Sequence, residues 1–405
     1  MVFVAVGHHH PANAIAVGLK RFDVGMNHIH PEAAIVKRDA TIDHNDFAAL
    51  FKCEAVHSDL TETAKGEDAK HRADCHAPYA WSRELRSILE KNDLFGSHVA
   101  TDLSEKRFLI VTGKGGVGKT TVCAAEAMAI AAKGKRVLIA MCNAKERLSA
   151  MFGAEAVGDE IVPVHPNVWA VNMSPEKAME EYGLLTLKSK TLYSLLFDNK
   201  YVRSFFSAVP GLHEWAMLGK AWWHTTETLD GGKPKYDVVI LDAPATGHGL
   251  DMLRVPKVIV DVVPSGILRR DAEIAWKMFQ DPATCAVVLV TLPEEMPTSE
   301  TIELAHALKG DLQLPIGKVV VNAVLPPLFS IDERKKLEEV AVSAESDKAN
   351  SAILAGQHRA TRERVQAESL KRLATELPIS PSFLPLLFED AATPQAILAL
   401  SKRVA

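Results

Sequence analysis

The sequence predicts an α/β fold: a doubly wound, mostly parallel sheet with helices on both faces and a helical subdomain. From Lys106 onward, short runs rich in β-branched residues alternate with longer helical stretches, which is typical of parallel strands joined by helical crossovers. The short runs are apolar nearly throughout, as expected of strands that are buried on both faces. With 405 residues and 47% hydrophobic content, the chain is long enough to bury such a core.

The predicted elements follow one another in a regular order. After the first strand, a helix is expected to end at Gly134, because glycine readily adopts the left-handed conformation of a helix C-terminus. After the fifth strand, Thr298 or Ser299 can cap a helix that ends at Gly310. The six candidate strands lie at 107–112, 136–141, 168–173, 236–241, 285–291 and 318–324.

Two segments that differ in composition and periodicity define the predicted domains. Residues 1–104 form a histidine-rich N-terminal extension, poorly structured or of unknown fold, since ten of the sixteen histidines fall there without sustained periodicity. Residues 105–405 form one doubly wound domain with a helical insertion at about 174–230, and a polar helical region is expected around 331–377. The extension is either a poorly packed leader or sequence upstream of a later start such as Met26.

The extension also contains one spacing with chemical meaning. Cys53 and His57 are four residues apart, as are His71 and Cys75. Each pair can share one face of a helix, and together they offer four ligands for zinc. The poorly packed leader is the favoured interpretation, and the zinc site is the alternative.

Charge and cysteine usage argue against several classes of function. A formal charge of −5, without a dense basic block, disfavours nucleic acid as the main partner. Five cysteines without C-x-x-C pairing disfavour a secreted disulfide framework and favour the cytoplasm. No run reaches about 18 uncharged apolar residues, so direct insertion into a membrane is not expected.

A glycine-rich stretch, GKGGVGKTT, lies between the first predicted strand and the helix that follows it. It satisfies the pattern G-x-x-x-x-G-K-[ST] in the strand-to-helix context that this pattern requires. The glycines let backbone N–H groups face phosphate oxygens, Lys119 reaches the β- and γ-phosphates, and the Thr120 hydroxyl can ligate Mg²⁺. The predicted nucleotide-binding residues are Gly113, Gly115, Gly116, Val117, Gly118, Lys119, Thr120 and Thr121.

Asp242 is the second candidate at the same site. It follows the predicted strand at 236–241 and precedes a run of small residues, APATGHG. An aspartate that closes a buried strand is well placed to hold the water shell of Mg²⁺. We therefore predict that Thr120 and Asp242 form the metal site.

Several segments resemble one family. GKGGVGKTT, with Lys114 as its extra lysine, resembles the deviant Walker A loop of the ATPases that include the arsenite-pump ATPase ArsA, the targeting ATPase for tail-anchored membrane proteins, MinD and the nitrogenase iron protein. DAPATGHGLDMLRVP is similar to the D-T-A-P-T-G-H-T-L-R-x-L segment of the arsenite-pump and tail-anchor-targeting branch. VPGLHEWAMLGKAW, VVVNAV and LPLLFED are similar to further segments of that branch.

The resemblance implies a P-loop NTPase fold of the SIMIBI type, with ATP and Mg²⁺ as cofactors. It implies a nucleotide-dependent dimer, because the family's extra lysine, here Lys114, is directed at the phosphates bound by the partner subunit. Asp242, Gly247 and His248 fall in switch II, which senses the γ-phosphate in this branch. Asn322 falls at the family's adenine-recognising asparagine.

The first switch departs from the family's pattern. The branch reads D-P-A-H-N-L-S-D-A-F-G, whereas residues 143–153 read NAKERLSAMFG, so that Asn143 replaces the aspartate that positions the attacking water. An amide can orient water but cannot accept a proton as a carboxylate does. Glu146 is either a substitute carboxylate or a solvated charge at a helix start. Cys142 is either a redox handle or a small buried residue.

Two hypotheses of function follow. The first is an ATP-hydrolysing dimeric switch that acts on an unknown client protein or small anion, with Lys114, Lys119, Asn143 and Asp242 as its catalytic residues and with weak activity because of Asn143. The second is a hydrolysis-poor nucleotide-binding regulatory or assembly subunit. The dimer is a homodimer or a heterodimer with a paralogue. The zinc-bridging C-x-x-C and the long client-binding insertion of the tail-anchor-targeting ATPase are absent from the sequence, which disfavours that role.

Overall fold

The structure is a computed structural model that describes residues 102–187, 211–339 and 347–404, except positions 378 and 389. All of these residues belong to one compact unit, Tyr79–Ala405. The cysteine and histidine pairs of the predicted zinc site lie outside the described residues. None of the described helices combines the length and the apolar character needed to cross a membrane.

Eight strands form a single sheet at the centre of the described chain. Neighbouring strands pair in parallel except for β3 and β4, which are antiparallel. The sheet order is β3-β4-β2-β5-β1-β6-β7-β8, so the chain winds outward in both directions from the centre. The strands are β1 (Phe108–Thr112), β2 (Val137–Cys142), β3 (Val162–His165), β4 (Val168–Met173), β5 (Val238–Asp242), β6 (Cys285–Thr291), β7 (Ile316–Val324) and β8 (Ser382–Pro385).

The prediction of a doubly wound, mostly parallel sheet is confirmed, and each of the six predicted strands is present to within two residues. The remaining strands, β3 and β8, were not predicted. Both contain only four residues, lie at the two edges of the sheet and are only partly buried. A continuous apolar run therefore does not mark them in the sequence.

Helices cover both faces of the sheet. They are α1 (Lys119–Ala132), α2 (Leu148–Phe152), α3 (Pro175–Leu187), α4 (Leu212–His224), α5 (Thr246–Val262), α6 (Ile267–Gln280), α7 (Glu295–Ala307), α8 (Ile331–Glu339), α9 (Asp347–Glu376) and α10 (Pro394–Val404). Short turns of 3₁₀ and π helix lie at Leu103–Glu105 and Leu308–Leu312.

The predicted helix ends are right in one case and wrong in the other. Gly134 follows α1 with φ +81°, as expected of a C-terminal glycine. α7 begins earlier than predicted, after Glu294, because Pro297 fits in a first helical turn, where no backbone donor is needed. The chain then continues as a π turn through Gly310 and stops at Gln313, which has φ +52°.

The region predicted to be helical at 174–230 contains two helices, α3 and α4, among the residues that the structure describes. α3 and α4 pack against each other, and residues 188–210 lie outside the described part of the chain. After α4 the chain forms a turn closed by a bridge between Thr228 and Pro234, so residues 225–230 are not helical. The polar region at 331–377 is helical wherever the structure describes it, apart from its last residue.

Two hydrophobic clusters form the core, one on each face of the sheet. Successive residues of β1 alternate between them, because side chains of a strand point to opposite faces. Phe108 lies in one cluster and stacks on Phe279 of α6, with ring centroids 5.2 Å apart. Leu109 lies in the other cluster, together with residues of α1, α2 and α10. The central strands are thus buried on both sides, and their carboxyl ends form a rigid edge.

Candidate nucleotide-binding site

The loop between β1 and α1 has the backbone geometry that its glycines predict. Gly113 (φ +151°) and Gly118 (φ +92°) adopt positive φ angles, at which other residues are strained. A Cβ atom at Gly113 would collide with the carbonyl oxygen of Val290, and one at Gly118 would collide with the side-chain amide of Asn322. The loop is therefore packed against the carboxyl ends of β6 and β7.

Lys119, the first residue of α1, turns its amine back into this loop. Its Nζ donates hydrogen bonds of 3.2 Å to the carbonyl oxygens of Gly113 and Lys114. Burial lowers the pKa of Lys119, and the nearby carboxylate of Asp242 opposes this effect. A cation inside a glycine loop, at the positive end of a helix dipole, is a suitable site for a bound anion.

Thr120 and Asp242, the predicted metal pair, lie in direct contact. The Thr120 hydroxyl donates a 2.6 Å hydrogen bond to Asp242 Oδ2. Asp242 ends β5, is 4% exposed and lies in register with Val111 of β1 and Met141 of β2. Burial raises the pKa of Asp242, while the Thr120 hydroxyl and the charge of Lys119 lower it. A hydroxyl and a carboxylate are oxygen donors of the kind that Mg²⁺ prefers, so the donor set fits this ion.

Cys123 also belongs to this group, although sequence reasoning missed it. It lies three residues after Thr120 on α1, and its buried thiol is close enough to Asp242 for the two groups to influence each other's pKa. Burial raises the pKa of the Cys123 thiol well above its ordinary value, and the charge of Asp242 adds to this rise. The signal in the sequence is the helical spacing, because residues i and i+3 share one face of a helix.

Asn143 follows β2 directly and adopts a left-handed conformation with φ +46°, which asparagine tolerates better than most residues. Its backbone N–H donates a 2.9 Å hydrogen bond to the carbonyl of Met173. The backbone of the next residue, Ala144, is held by the Asn172 side chain. This side chain accepts a hydrogen bond from the Ala144 N–H (3.0 Å) and donates one to the Ala144 carbonyl (2.9 Å). The segment that begins with Asn143 is therefore fixed to the end of β4.

The structure distinguishes between the alternative roles of Glu146 and between those of Cys142. The two carboxylate oxygens of Glu146 accept hydrogen bonds from the Ser149 N–H (2.8 Å) and hydroxyl (2.7 Å). This contact resembles a helix cap at the start of α2, and it favours the helix-start interpretation. Cys142 is buried, and burial raises the pKa of its thiol, as expected of a small buried residue.

Gly247 and His248 lie in the first turn of α5, five and six positions after the end of β5. The glycine loop is close to this segment, because a Cβ atom on Gly115 would lie 3.6 Å from the Cβ of Ala245. The side chain of His248 lies outside the described part of the structure. The sensing role of Gly247 and His248 therefore stays a prediction.

A cavity of about 550 Å³ lies beside the loop. Asn322 lines it and donates a 2.9 Å hydrogen bond from Nδ2 to the carbonyl of Val117. Gly116, Leu386 and, from α9, Thr361 and Arg362 also line the cavity. Sequence reasoning did not find the α9 residues, since a solvated polar helix shows no local pattern that indicates a cavity.

α9 also fixes the backbone that leaves β7. Gln366 accepts from the Leu325 N–H and donates to its carbonyl, both at 2.8 Å. Glu363 accepts from the Leu328 N–H at 2.8 Å. The cavity wall is therefore held by buried side chains of one long helix.

The two remaining loop residues of the prediction are also placed by the structure. Thr121 lies in the first turn of α1, one position after Thr120. Lys114 forms an ion pair with Glu300 of α7, in the same chain, with the two side chains 27% and 32% exposed. Glu300 is 186 positions away in sequence, which is why local patterns did not predict this contact.

Comparison with known proteins agrees with this geometry. The family model described as anion-transporting ATPase matches residues 106–270. The ATPase BagA of Mycobacterium tuberculosis is 31% identical over 61% of this chain and 74% of that protein. The ATPase GET3B of Arabidopsis thaliana is 24% identical over 56% of this chain and 66% of that protein. The arsenical pump-driving ATPase of Acidiphilium multivorum is 26% identical over 54% of this chain and 40% of that protein.

The parallel sheet, the glycine loop at its carboxyl edge and the family match define a protein of the P-loop NTPase class. Within that class, the chain belongs to the anion-transporting ATPase family. The resemblance read from the sequence is thereby confirmed at the level of the family.

Proposed function

We propose that the chain is a magnesium-dependent ATPase that works as a nucleotide-driven dimeric switch in the cytoplasm. The observation that carries this proposal is the 2.6 Å hydrogen bond between Thr120 and Asp242, beside the amine of Lys119 in a glycine loop. These are the groups that phosphate and magnesium binding requires in a P-loop protein. The relatives named above include ATPases, which agrees with this proposal.

The proposed domain assignment follows from the same site. Residues 105–405 form the ATPase domain, because β1, β5 and β7 all contribute to the loop and its surroundings. The helical insertion at about 174–230 packs on the sheet through α4, whose Trp215 is 1% exposed. Residues 1–104 form an extension of unassigned role.

Each residue of the site has a defined task in this proposal. Backbone N–H groups of the loop and the amine of Lys119 hold the phosphates. The Thr120 hydroxyl would hold Mg²⁺ directly, and Asp242 would hold its water shell. When bound, Mg²⁺ would neutralise negative charge on the phosphates. Asn143 orients the attacking water through its amide, without accepting a proton, so turnover is expected to be slow.

The base is expected to be adenine. The Nδ2 atom of Asn322 is already used to hold the Val117 carbonyl, at 2.9 Å. Oδ1 and the second N–H of this amide remain for the base. At position 6 of the purine, adenine carries an amino group that Oδ1 would accept from, whereas guanine carries a carbonyl group there, so we expect adenine when this edge of the base faces Oδ1.

A second candidate function is a nucleotide-binding subunit with little hydrolysis, for example one paired with an active paralogue. A specific observation favours it. Asn143 has no carboxylate, and the carboxylate of Glu146 is engaged by Ser149 at both oxygens. Neither residue therefore supplies a base to the attacking water.

Phosphate release from Mg-ATP tests the two candidates together. The wild type, Lys119→Ala and Asn143→Asp are compared, and nucleotide binding is measured for each by calorimetric titration. Turnover in the wild type that vanishes in Lys119→Ala supports the ATPase. Binding without turnover in the wild type, with turnover in Asn143→Asp, supports the regulatory subunit. Failure of the wild type to bind Mg-ATP contradicts both.

A further inference from the structure

Lys114 and Glu300 form an ion pair that neutralises one of the two cations of the glycine loop. Lys119 is directed inward, to the carbonyls of Gly113 and of Lys114 itself. Lys114 points its side chain outward and reaches α7 instead. The loop's second positive charge is therefore compensated within the chain.

The acidic partner in this pair is presented by a well-fixed helix. Thr298 and Thr301, on either side of Glu300, are fully buried, and Ile302 belongs to the core. The hydroxyl of Ser299, next to Glu300, accepts a 2.9 Å hydrogen bond from Arg372 of α9. α7 is thus packed on β6 and joined to α9, so the position of the Glu300 backbone is set by the fold.

Lys114 cannot neutralise Glu300 and a triphosphate at the same time. A lysine ammonium is a compact point charge on a flexible stem, and it can exchange one anionic partner for another. A bound triphosphate is a more highly charged anion than one carboxylate. The free energy needed to separate Lys114 from Glu300 therefore reduces the affinity for the nucleotide.

We infer that Glu300 is a positioning residue. It holds Lys114 away from the phosphates until a bound triphosphate replaces Glu300 as the anionic partner of Lys114. The inference rests on the proposed function, since it takes the glycine loop as the phosphate site. It goes beyond that function because it assigns a role to a residue of α7 that lies outside the loop and both switches.

The test is a double-mutant cycle on the full chain, with the Kd for Mg-ATP measured by calorimetric titration. Glu300→Gln removes the ion pair and is expected to lower the Kd about 2- to 5-fold, the usual range for a partly exposed pair. In a Lys114→Met background, the same substitution is expected to leave the Kd unchanged, because Glu300 then has no lysine to hold. The unfolding transition of each variant shows that it is folded.

Glu303→Gln is the matched control. Glu303 is exposed on the same helix, three residues further on, and its substitution removes the same formal charge. The Kd of the Glu303→Gln variant for Mg-ATP is expected to stay at the wild-type value. Equal effects of Glu300→Gln and Glu303→Gln, or an effect of Glu300→Gln that persists with Lys114→Met, would overturn the inference.

The failure of the inference is distinguishable from the failure of the proposed function. If the wild type binds Mg-ATP and Lys119→Ala does not, the loop is the phosphate site whatever Glu300 does. If neither binds, the proposed function is wrong, and the inference falls with it. If Glu300→Gln does not fold, Glu300→Asp replaces it, and a weaker pair is then expected to lower the Kd by a smaller factor.

Discussion

At the scale of the residue, the site depends on charges that compensate each other in a buried place. Asp242 is 4% exposed, and Lys119 is directed into the loop beside it. Burial raises the pKa of Asp242 and lowers the pKa of Lys119, and each group opposes the shift of the other. Each charge therefore stabilises the other where burial alone would favour the neutral forms.

Asn322 is predicted to link base recognition to the shape of the loop. Asn322→Ala removes the hydrogen bond to Val117, an interaction of about 1 kcal/mol, together with the acceptor at the cavity. We expect the Kd for Mg-ATP to rise about tenfold, the equivalent of 1.4 kcal/mol, and the preference for ATP over GTP to decrease. Competition between the two nucleotides measures both effects. An unchanged preference would contradict the assignment of Asn322 to the base.

Gly118 is predicted to be irreplaceable for a steric reason. Gly118→Ala places a methyl group against the amide of Asn322 and strains a backbone with φ +92°. We expect the Kd for Mg-ATP to rise at least about tenfold, because overpacking of this kind costs about 1–3 kcal/mol and shifts the loop. Isothermal titration measures the change.

Gly134→Ala is the control for backbone strain alone. Gly134 lies at the other end of α1 with φ +81°, and a Cβ atom there would have no described atom within 4 Å. The unfolding free energy is expected to fall by about 1–2 kcal/mol, with no change in nucleotide affinity. Equal losses of affinity in the two alanine variants would show that the contact with Asn322 is unimportant.

At the scale of the element, a buried ion pair joins the loop's helix to the sheet and to the end of the described chain. Glu126 of α1 and Lys318 of β7 are 3% and 11% exposed at their side chains, with Lys318 Nζ 2.8 Å from Glu126 Oε1. Lys318 also donates to the carbonyl of Val404 at the end of α10. The position of α1, and therefore of Lys119 and Thr120, is set partly by this pair.

Replacing one member of this pair is predicted to destabilise the fold more than replacing both members. Glu126→Ala removes the side chain that accepts from Lys318 and leaves the Lys318 charge buried without a partner, so it is expected to lower the unfolding free energy by about 3–5 kcal/mol. The double variant Glu126→Met with Lys318→Met is expected to restore most of this loss, because it buries no charge. Urea unfolding of the three proteins measures the values. A double variant less stable than Glu126→Ala would contradict this account.

The same pair gives the unfolding free energy a dependence on pH. Burial raises the pKa of Glu126 above its ordinary value of 4.5, and the charge of Lys318 reduces that rise. The folded chain thus holds this proton more tightly than the unfolded chain does. The contribution of Glu126 to stability is present below pH 4.5 and is lost as the pH rises through the raised pKa. The double variant is expected to lack this component in the same titration.

At the scale of the whole molecule, the strand order brings three distant parts of the sequence to one edge. β2, β5 and β1 are neighbours, so Asn143, Asp242 and the glycine loop lie at adjacent carboxyl ends. Asp242 lies in register with Val111 on one side and Met141 on the other. In open parallel sheets, ligands bind at this edge. The segments that the resemblance identifies as the two switches therefore begin at the same edge of the sheet as the glycine loop.

The sequence predicts the features of this arrangement that depend on local patterns. The central strands are apolar runs, and the loop and Asp242 are recognisable because their chemistry requires short, fixed spacings. The edge strands β3 and β8 were not predicted because partly buried strands lack a continuous apolar run. The start of α7 was predicted too late because a proline in the sequence suggests that a helix begins after it. Contacts such as Lys114 with Glu300, or Gln366 with Leu325, join positions far apart, so they follow from the tertiary fold alone.

The dimer is the prediction that belongs to the molecule as a whole. In the proposed dimer, the two bound triphosphates would repel each other across the interface, and Lys114 is the candidate for the cation that each subunit would supply to offset this repulsion. Sedimentation of the wild type with Mg-ATP is expected to give twice the mass of a single chain. Lys114→Met is expected to bind Mg-ATP through Lys119 and to remain a monomer, whereas Lys119→Ala neither binds nor associates.

Glu300 connects this assembly to the fold of each subunit. Because Glu300 holds Lys114 within its own chain, Glu300→Gln is expected to associate at a lower Mg-ATP concentration than the wild type. Added salt should weaken association in both proteins, since it screens charges at the interface. A wild-type mass that is independent of nucleotide, or a Lys114→Met variant that associates as the wild type does, would contradict a dimer closed by Lys114. In that case the charge of Lys114 would serve its own chain only.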